Sequence, residues 1–267
     1  MISSFLLPLV FFSSLLTAQE KPEIPEDLLD DDHFRSESAL NEFTVPSISK
    51  VFDELEKISP LAYTNDHLKQ HARLPLDRTQ LATRLGTLIA DGFIAVQTGH
   101  SEDVPTIASH LSRYAKALGA GDRIKRHVAA LLDHAENKDL PALKTALAAT
   151  QRDVERELVS LRDPDLSHLI SLGGWLQALE AASSAVDKKF TEERARALFR
   201  EDVADYYSES IGSLNPAISG LPHVKKMREF LQGLRNAMTL GEEEKPTPES
   251  IKEIKEIATK LADFAKQ

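Results

Sequence analysis

Apolar residues recur along this chain with the 3.6-residue period of helices, and no stretch alternates with the two-residue period of a half-buried strand. From Ser47 onward, Ile48, Val51, Phe52, Leu55 and Ile58 make a short stripe that Ser59-Pro60 ends. A second short piece, from Asp66 to Leu74, stops at Pro75. The first long helix opens on Asp77-Arg-Thr-Gln80, a capping box in its D-x-x-Q form, and Leu81, Leu85, Leu88, Ile89, Gly92 and Val96 carry it to about Gln97. Asp103 as N-cap, Pro105 in the first turn and Gly119 at the end delimit a second helix. Asp122 starts a third through Ile124, Val128 and Leu131, and Asp139 caps a fourth that reaches Leu161.

Asp163-Pro164 supplies an N-cap and first-turn pair for a fifth helix that runs to about Val186. Its leucines and alanines fall on more than one face, which predicts a central position. Thr191-Glu-Glu begins a sixth helix that kinks near Glu201 and continues through Tyr206, Tyr207 and Ile211 to Asn215-Pro216. A seventh spans about Pro222 to Met238. After a polar link, Thr247-Pro248 caps a last helix with Ile251, Ile254, Ala258, Leu261 and Phe264 on one face. The links are short, so the expected fold is an all-α antiparallel bundle of seven to eight amphipathic helices. The expected divisions are 1–18, 19–46, 47–240 for the bundle, and 241–267 for a linker and C-terminal docking helix.

Composition sharpens this in three ways. Leu and Ala number 67 against 25 Val and Ile, which favours helix over strand. The absence of cysteine excludes a disulfide scaffold, thiolate zinc, a cysteine nucleophile and a lipoprotein anchor. A net charge of −10 argues against broad nucleic-acid binding. Residues 1–19 hold no charged side chain, and the apolar run Phe5 to Leu16 leads into Leu16-Thr17-Ala18. That pattern predicts a signal peptide cut after Ala18, hence bacterial export to the periplasm or beyond, with no transmembrane span left afterwards. An uncut anchor is the alternative, and the run is short against the roughly 20 residues a span needs. Between Glu20 and Glu42 stand nine acidic side chains against Lys21 and Arg35, the composition of a flexible leader. Asp30-Asp-Asp-His33 within it lacks the glycine and terminal glutamate of a calcium loop.

Reactive spacings are missing: there is no H-E-x-x-H, G-x-S-x-G, Walker A or G-x-G-x-x-G. His127 and His134 lie seven apart on one line of the third helix and are the metal candidates, though zinc demands three or four ligands. His67 and His71 have i, i+4 chelating spacing in a short segment. Gly173-Gly174-Trp175 sits mid-helix, where each glycine costs about 1 kcal/mol relative to alanine. Those glycines serve either close helix packing or room for a ligand against Trp175. Asp91-Gly92 poses the same question, and a buried Asp91 needs a partner such as Arg or Lys. Tyr206 and Tyr207, about 100° apart on their helix, put one ring in the core and one outside, beside carboxylates that could face a ligand. Arg84-Leu-Gly-Thr-Leu88 weakly echoes Ser171-Leu-Gly-Gly-Trp175, a match that Leu/Gly-rich helices also produce by chance.

No motif names a cofactor or a reaction. The expectation is an exported, non-catalytic helical protein that binds a protein partner or a small ligand at Gly173, Gly174, Trp175, Tyr206 and Tyr207. The alternative is a helical-bundle metal or cofactor protein built on core histidines and carboxylates, and an extracytoplasmic hydrolase ranks last. Oligomeric state leaves no mark on the sequence.

Overall fold

A computed structural model describes residues 22–29, 45–241 and 243–267. The expected signal peptide and the Asp30–His33 cluster lie outside the described residues. Among those described, the chain is all helical and has no strand, and no helix is long and apolar enough to cross a membrane.

Two helices make the centre. Helix α3, Arg78–Gln97, and helix α7, Asp165–Lys188, share the most extensive contact of the fold. Each is buried on nearly every face, because small residues and leucines alternate around both and leave no polar side to turn outward. The fit depends on glycine. A Cβ added at Gly86 of α3 would stand 1.8 Å from the Ile170 carbonyl oxygen, and one at Gly173 would stand 2.0 Å from the Thr83 carbonyl oxygen. The two similar strings therefore meet face to face, each supplying the gap that the other's backbone fills.

Helix α4, Val104–Leu118, packs on α3, and α5, Gly121–Glu136, and α6, Leu140–Ser160, follow as a chain of neighbours. Gly119 ends α4 with a φ of +94°, the left-handed geometry that a C-terminal glycine supplies. On the other side of α7 lie α9, Glu201–Ser213, and α12, Pro248–Ala265, with α11, Pro222–Met238, against both. Four short helices complete the set: α1, Ile48–Glu54; α2, Asp66–Gln70; α8, Glu192–Arg196; and α10, Pro216–Ser219. The chain thus holds more helices than its periodicity predicts. The sixth expected helix is broken, since the segment 197–200 leaves the helix between α8 and α9.

Caps follow the sequence in part. Asp77 accepts from the amides of Thr79 and Gln80, Asp139 from Ala142, and Thr247 and Ser250 form a reciprocal box. Asp103 and Asp163 do not cap; Asp103 receives the Tyr63 hydroxyl and Asp163 pairs with Arg78 at 2.7 Å. Residues 22–29 dock on the core because Leu28 and Leu29 are both buried, and the Leu28 carbonyl accepts from the Ser47 amide at 2.9 Å. The last helix likewise packs directly on α7.

Gly173→Ala is expected to destabilise the protein by about 2 kcal/mol or more, overpacking outweighing the better helix propensity of alanine. Gly233→Ala on α11, where an added Cβ meets nothing within 4 Å, should instead stabilise by about 0.5–1 kcal/mol. Urea unfolding of the two variants beside the parent checks both signs.

Candidate functional site

Trp175 and Leu179 are one turn apart on α7 and face a cavity of about 290 Å³. Val51 and Leu55 of the α1 segment close one side, and Leu28 of the docked leader another. The break between α8 and α9 forms the remaining wall through Ala197, Leu198 and Val203. The lining is thus largely aliphatic around one aromatic ring, the usual character of a small-molecule pocket.

Behind the cavity Trp175 is held rigidly. Its ring stacks on Tyr207 with centroids 5.1 Å apart and planes at 27°, and Tyr206 meets Tyr207 edge-on at 5.2 Å. The Tyr207 hydroxyl hydrogen-bonds the Ser171 hydroxyl at 2.8 Å, which in turn donates to the Pro46 carbonyl at 2.6 Å. Both tyrosines are buried, contrary to the expected division of one in and one out. Helix α9 is covered by α11 and by α7, so faces 100° apart both lose solvent. Burial pushes the Tyr206 phenol up to about 12 and raises that of Tyr207 well above its ordinary value of 10, so both remain neutral.

The rim carries five charged side chains, of which Glu54, Lys57, Arg196 and Arg200 are paired and Glu193 is exposed. Arg200 grips Asp27 of the leader through two hydrogen bonds, 2.7 and 3.0 Å, and grips Asp202 at 2.8 and 2.9 Å. Arg196 pairs with Glu192 at 3.0 Å and Lys57 with Glu54 at 2.5 Å. A visiting molecule meets an apolar interior and a rim with little charge to spare.

Of the residues singled out by sequence, Trp175 lines this cavity, and Tyr207 and Tyr206 support it from behind. Gly173 and Gly174 turn elsewhere, Gly173 to the α3 backbone and Gly174 to Ile48, whose side chain an added Cβ would meet at 2.4 Å. His127 donates to Asp153 at 2.8 Å across α5 and α6, while His134 lies 3.9 Å from its neighbour Asp133. Among the described residues no group of three or more His, Cys, Asp or Glu converges as a metal site. Asp91 is buried, and His71 faces it at 3.3 Å. Asp27, Arg200 and Leu28 were not legible as site residues. Asp27 and Arg200 are 173 positions apart, and no local spacing links them.

Burial alone would raise the Asp202 carboxyl, but the Arg200 guanidinium and the first amides of α9 outweigh it and hold the group below its ordinary value of 3.8. A depressed carboxyl contributes stability that is present above 3.8 and lost as pH falls through the lower folded value. The stability gap between the parent and Asp202→Asn should therefore be steady from neutrality down to about 3.8 and shrink between there and the lower folded value. Urea midpoints across acid pH measure the gap.

No protein-family model, curated protein or solved structure matches the chain.

Proposed function

We propose that this chain is an exported, non-catalytic helical protein that takes up a small, mainly apolar ligand in the cavity beside Trp175. The observation that carries this reading is the pocket itself: about 290 Å³ of largely apolar space against an aromatic ring that Tyr207 backs. A concave, mainly apolar wall with an aromatic ring is the usual form of a small-molecule site. The largely paired rim supports an apolar ligand over an ion. No nucleophile with its base lines the cavity, which supports binding over turnover. The short connections between the long helices support an antiparallel arrangement for the bundle that carries it.

Export rests on the uncharged apolar run at the start of the chain and on the absence of thiols that would need oxidising machinery. Expression with the natural N-terminus in a bacterial host should yield a periplasmic species whose mass begins at Gln19. A cytoplasmic species retaining residues 1–18 would remove export from the reading.

The cavity has a built-in reporter, since Trp175 is the sole tryptophan. Titration with 1-anilinonaphthalene-8-sulfonate should quench its emission by energy transfer, saturably and with one dye per chain. Ala197→Phe, which places a ring in the cavity wall, should weaken that binding by about tenfold or more. Quenching that is unsaturable, or that survives Ala197→Phe unchanged, would sink the assignment of the ligand to this cavity.

A further inference from the structure

Helix α7 carries a second cavity on the face opposite Trp175. Gln177, Ala181, Ser184 and Lys188 follow at i, i+4, i+7 and i+11, so they share one line of the helix. With α3, α12 and the segment 62–64 they enclose about 230 Å³. Unlike the first cavity, this one is lined mainly by polar and charged side chains.

The charges are ordered by depth. Asp91 and Gln177 form the buried end, 4% and 1% exposed. The Asp91 Oδ2 atom faces His71 Nε2 at 3.3 Å, and His71 is fully buried. The pair fixes the aim of Asp91. Glu180, with its side chain 14% exposed, lies in the same wall, where Lys266 approaches it at 3.4 Å. Two ammonium groups stand toward solvent. Lys188 is exposed, and Lys255, with a third of its side chain exposed, is steadied by Asp187 at 2.6 Å. Tyr63 makes a rigid aromatic side to the space. Its hydroxyl donates to Asp103, its ring stacks on His100 with centroids 4.3 Å apart, and burial with that hydrogen bond pushes the phenol up, so it stays neutral.

We propose that this cavity binds a small amino-carboxylate zwitterion, its ammonium directed inward to Asp91 and Glu180 and its carboxylate outward to Lys188 and Lys255. An ammonium leaves water only where carboxylates and amide oxygens replace its hydration shell, and the deep end offers both kinds of group. The order of charge disposes of the simpler ligands. A bare anion would pass the lysines only to end against two carboxylates, and a bare amine would bring no counter-charge to the Lys188 ammonium at the rim. An apolar molecule would strip water from every polar group in the wall without replacing it. The site uses none of the residues that line the Trp175 cavity, so it stands or falls separately.

Calorimetric titration of the whole protein with the series glycine, 4-aminobutanoate and 6-aminohexanoate, against butylamine and butanoate, tests the proposal. At least one amino acid of the series should bind one per chain and about tenfold more tightly than either single-charge analogue. Ser184→Leu, which fills the cavity, should abolish that binding, and Lys188→Ala on the exposed rim should weaken it by about threefold. Both variants should unfold cooperatively like the parent, which separates loss of the site from loss of the fold. Ala197→Phe in the other cavity should leave this affinity unchanged. Equal affinity for the zwitterions and the single-charge compounds, or undiminished binding in Ser184→Leu, would overturn the assignment.

Discussion

The fold depends on how closely α3 and α7 approach each other. At Gly86 and Gly173 the backbone of one helix fills the space where the other would carry a Cβ, and no side chain larger than hydrogen fits either position. Each glycine weakens its own helix by about 1 kcal/mol relative to alanine, so the contact must return more than it costs through dispersion and apolar burial along both helices. Placing two helices back to back also removes the solvent face from both. The remaining helices then pack around this pair, α4 and α6 against α3, α9 and α12 against α7.

A centre this dry must satisfy its polar groups internally. Thr83 and Thr150 return their hydroxyls to the carbonyls of Thr79 and Ala146, one turn back. The entry of α1 solves a similar problem over a long range. Ser47 provides no side-chain cap, and the Ile48 amide is taken instead by Gln151 of α6 at 2.9 Å. Gln151 also donates to Glu155 at 2.7 Å, and Ser171 of α7 holds the adjacent Pro46 carbonyl. The beginning of the helical body is thereby pinned to both α6 and α7 by hydrogen bonds rather than by its own cap. This is also the region where the docked leader crosses, so the wall of the Trp175 cavity inherits its position from that network.

What the sequence made legible was local. The capping carboxylates of Asp77 and Asp139, the Thr247 box and the glycine stop at Gly119 all act within one helical turn, where residue spacing is geometry. The central place of α7 could be read from its apolar residues for the same reason. The echo between Arg84-Leu-Gly-Thr-Leu88 and Ser171-Leu-Gly-Gly-Trp175 was visible, but its cause was not, because the cause is a contact between the two strings. Asp103 and Asp163 had the residue type of caps, yet each found a better partner from a distant segment, Tyr63 and Arg78. Tyr206 and Tyr207 were misjudged because helical geometry fixes the angle between two side chains and says nothing of how many neighbours cover them. Trp175 was legible as a candidate by type alone; the cavity it faces is made of segments as far apart as Leu28 and Val203.

The two cavities differ in chemistry because the two faces of α7 meet different kinds of chain. On the Trp175 face the neighbours are the leader, α1 and the α8–α9 break, short pieces whose aliphatic side chains do not interdigitate as two long helices do, and the space left between them is apolar. On the Gln177 face the neighbours are α3 and α12, regular helices that bring one residue every turn to the boundary, with the irregular segment 62–64 closing one side. There the space opens beside small residues, Ala181 and Ser184, and its lining is whatever the two helices place at that register: Asp91 deep and Lys255 near the surface. Helix α7 stands between the two cavities and no residue lines both. The tight α3 contact at Gly86 and Gly173 fixes the place of that helix, so the same close approach that organises the core also positions the wall that α7 lends to each cavity.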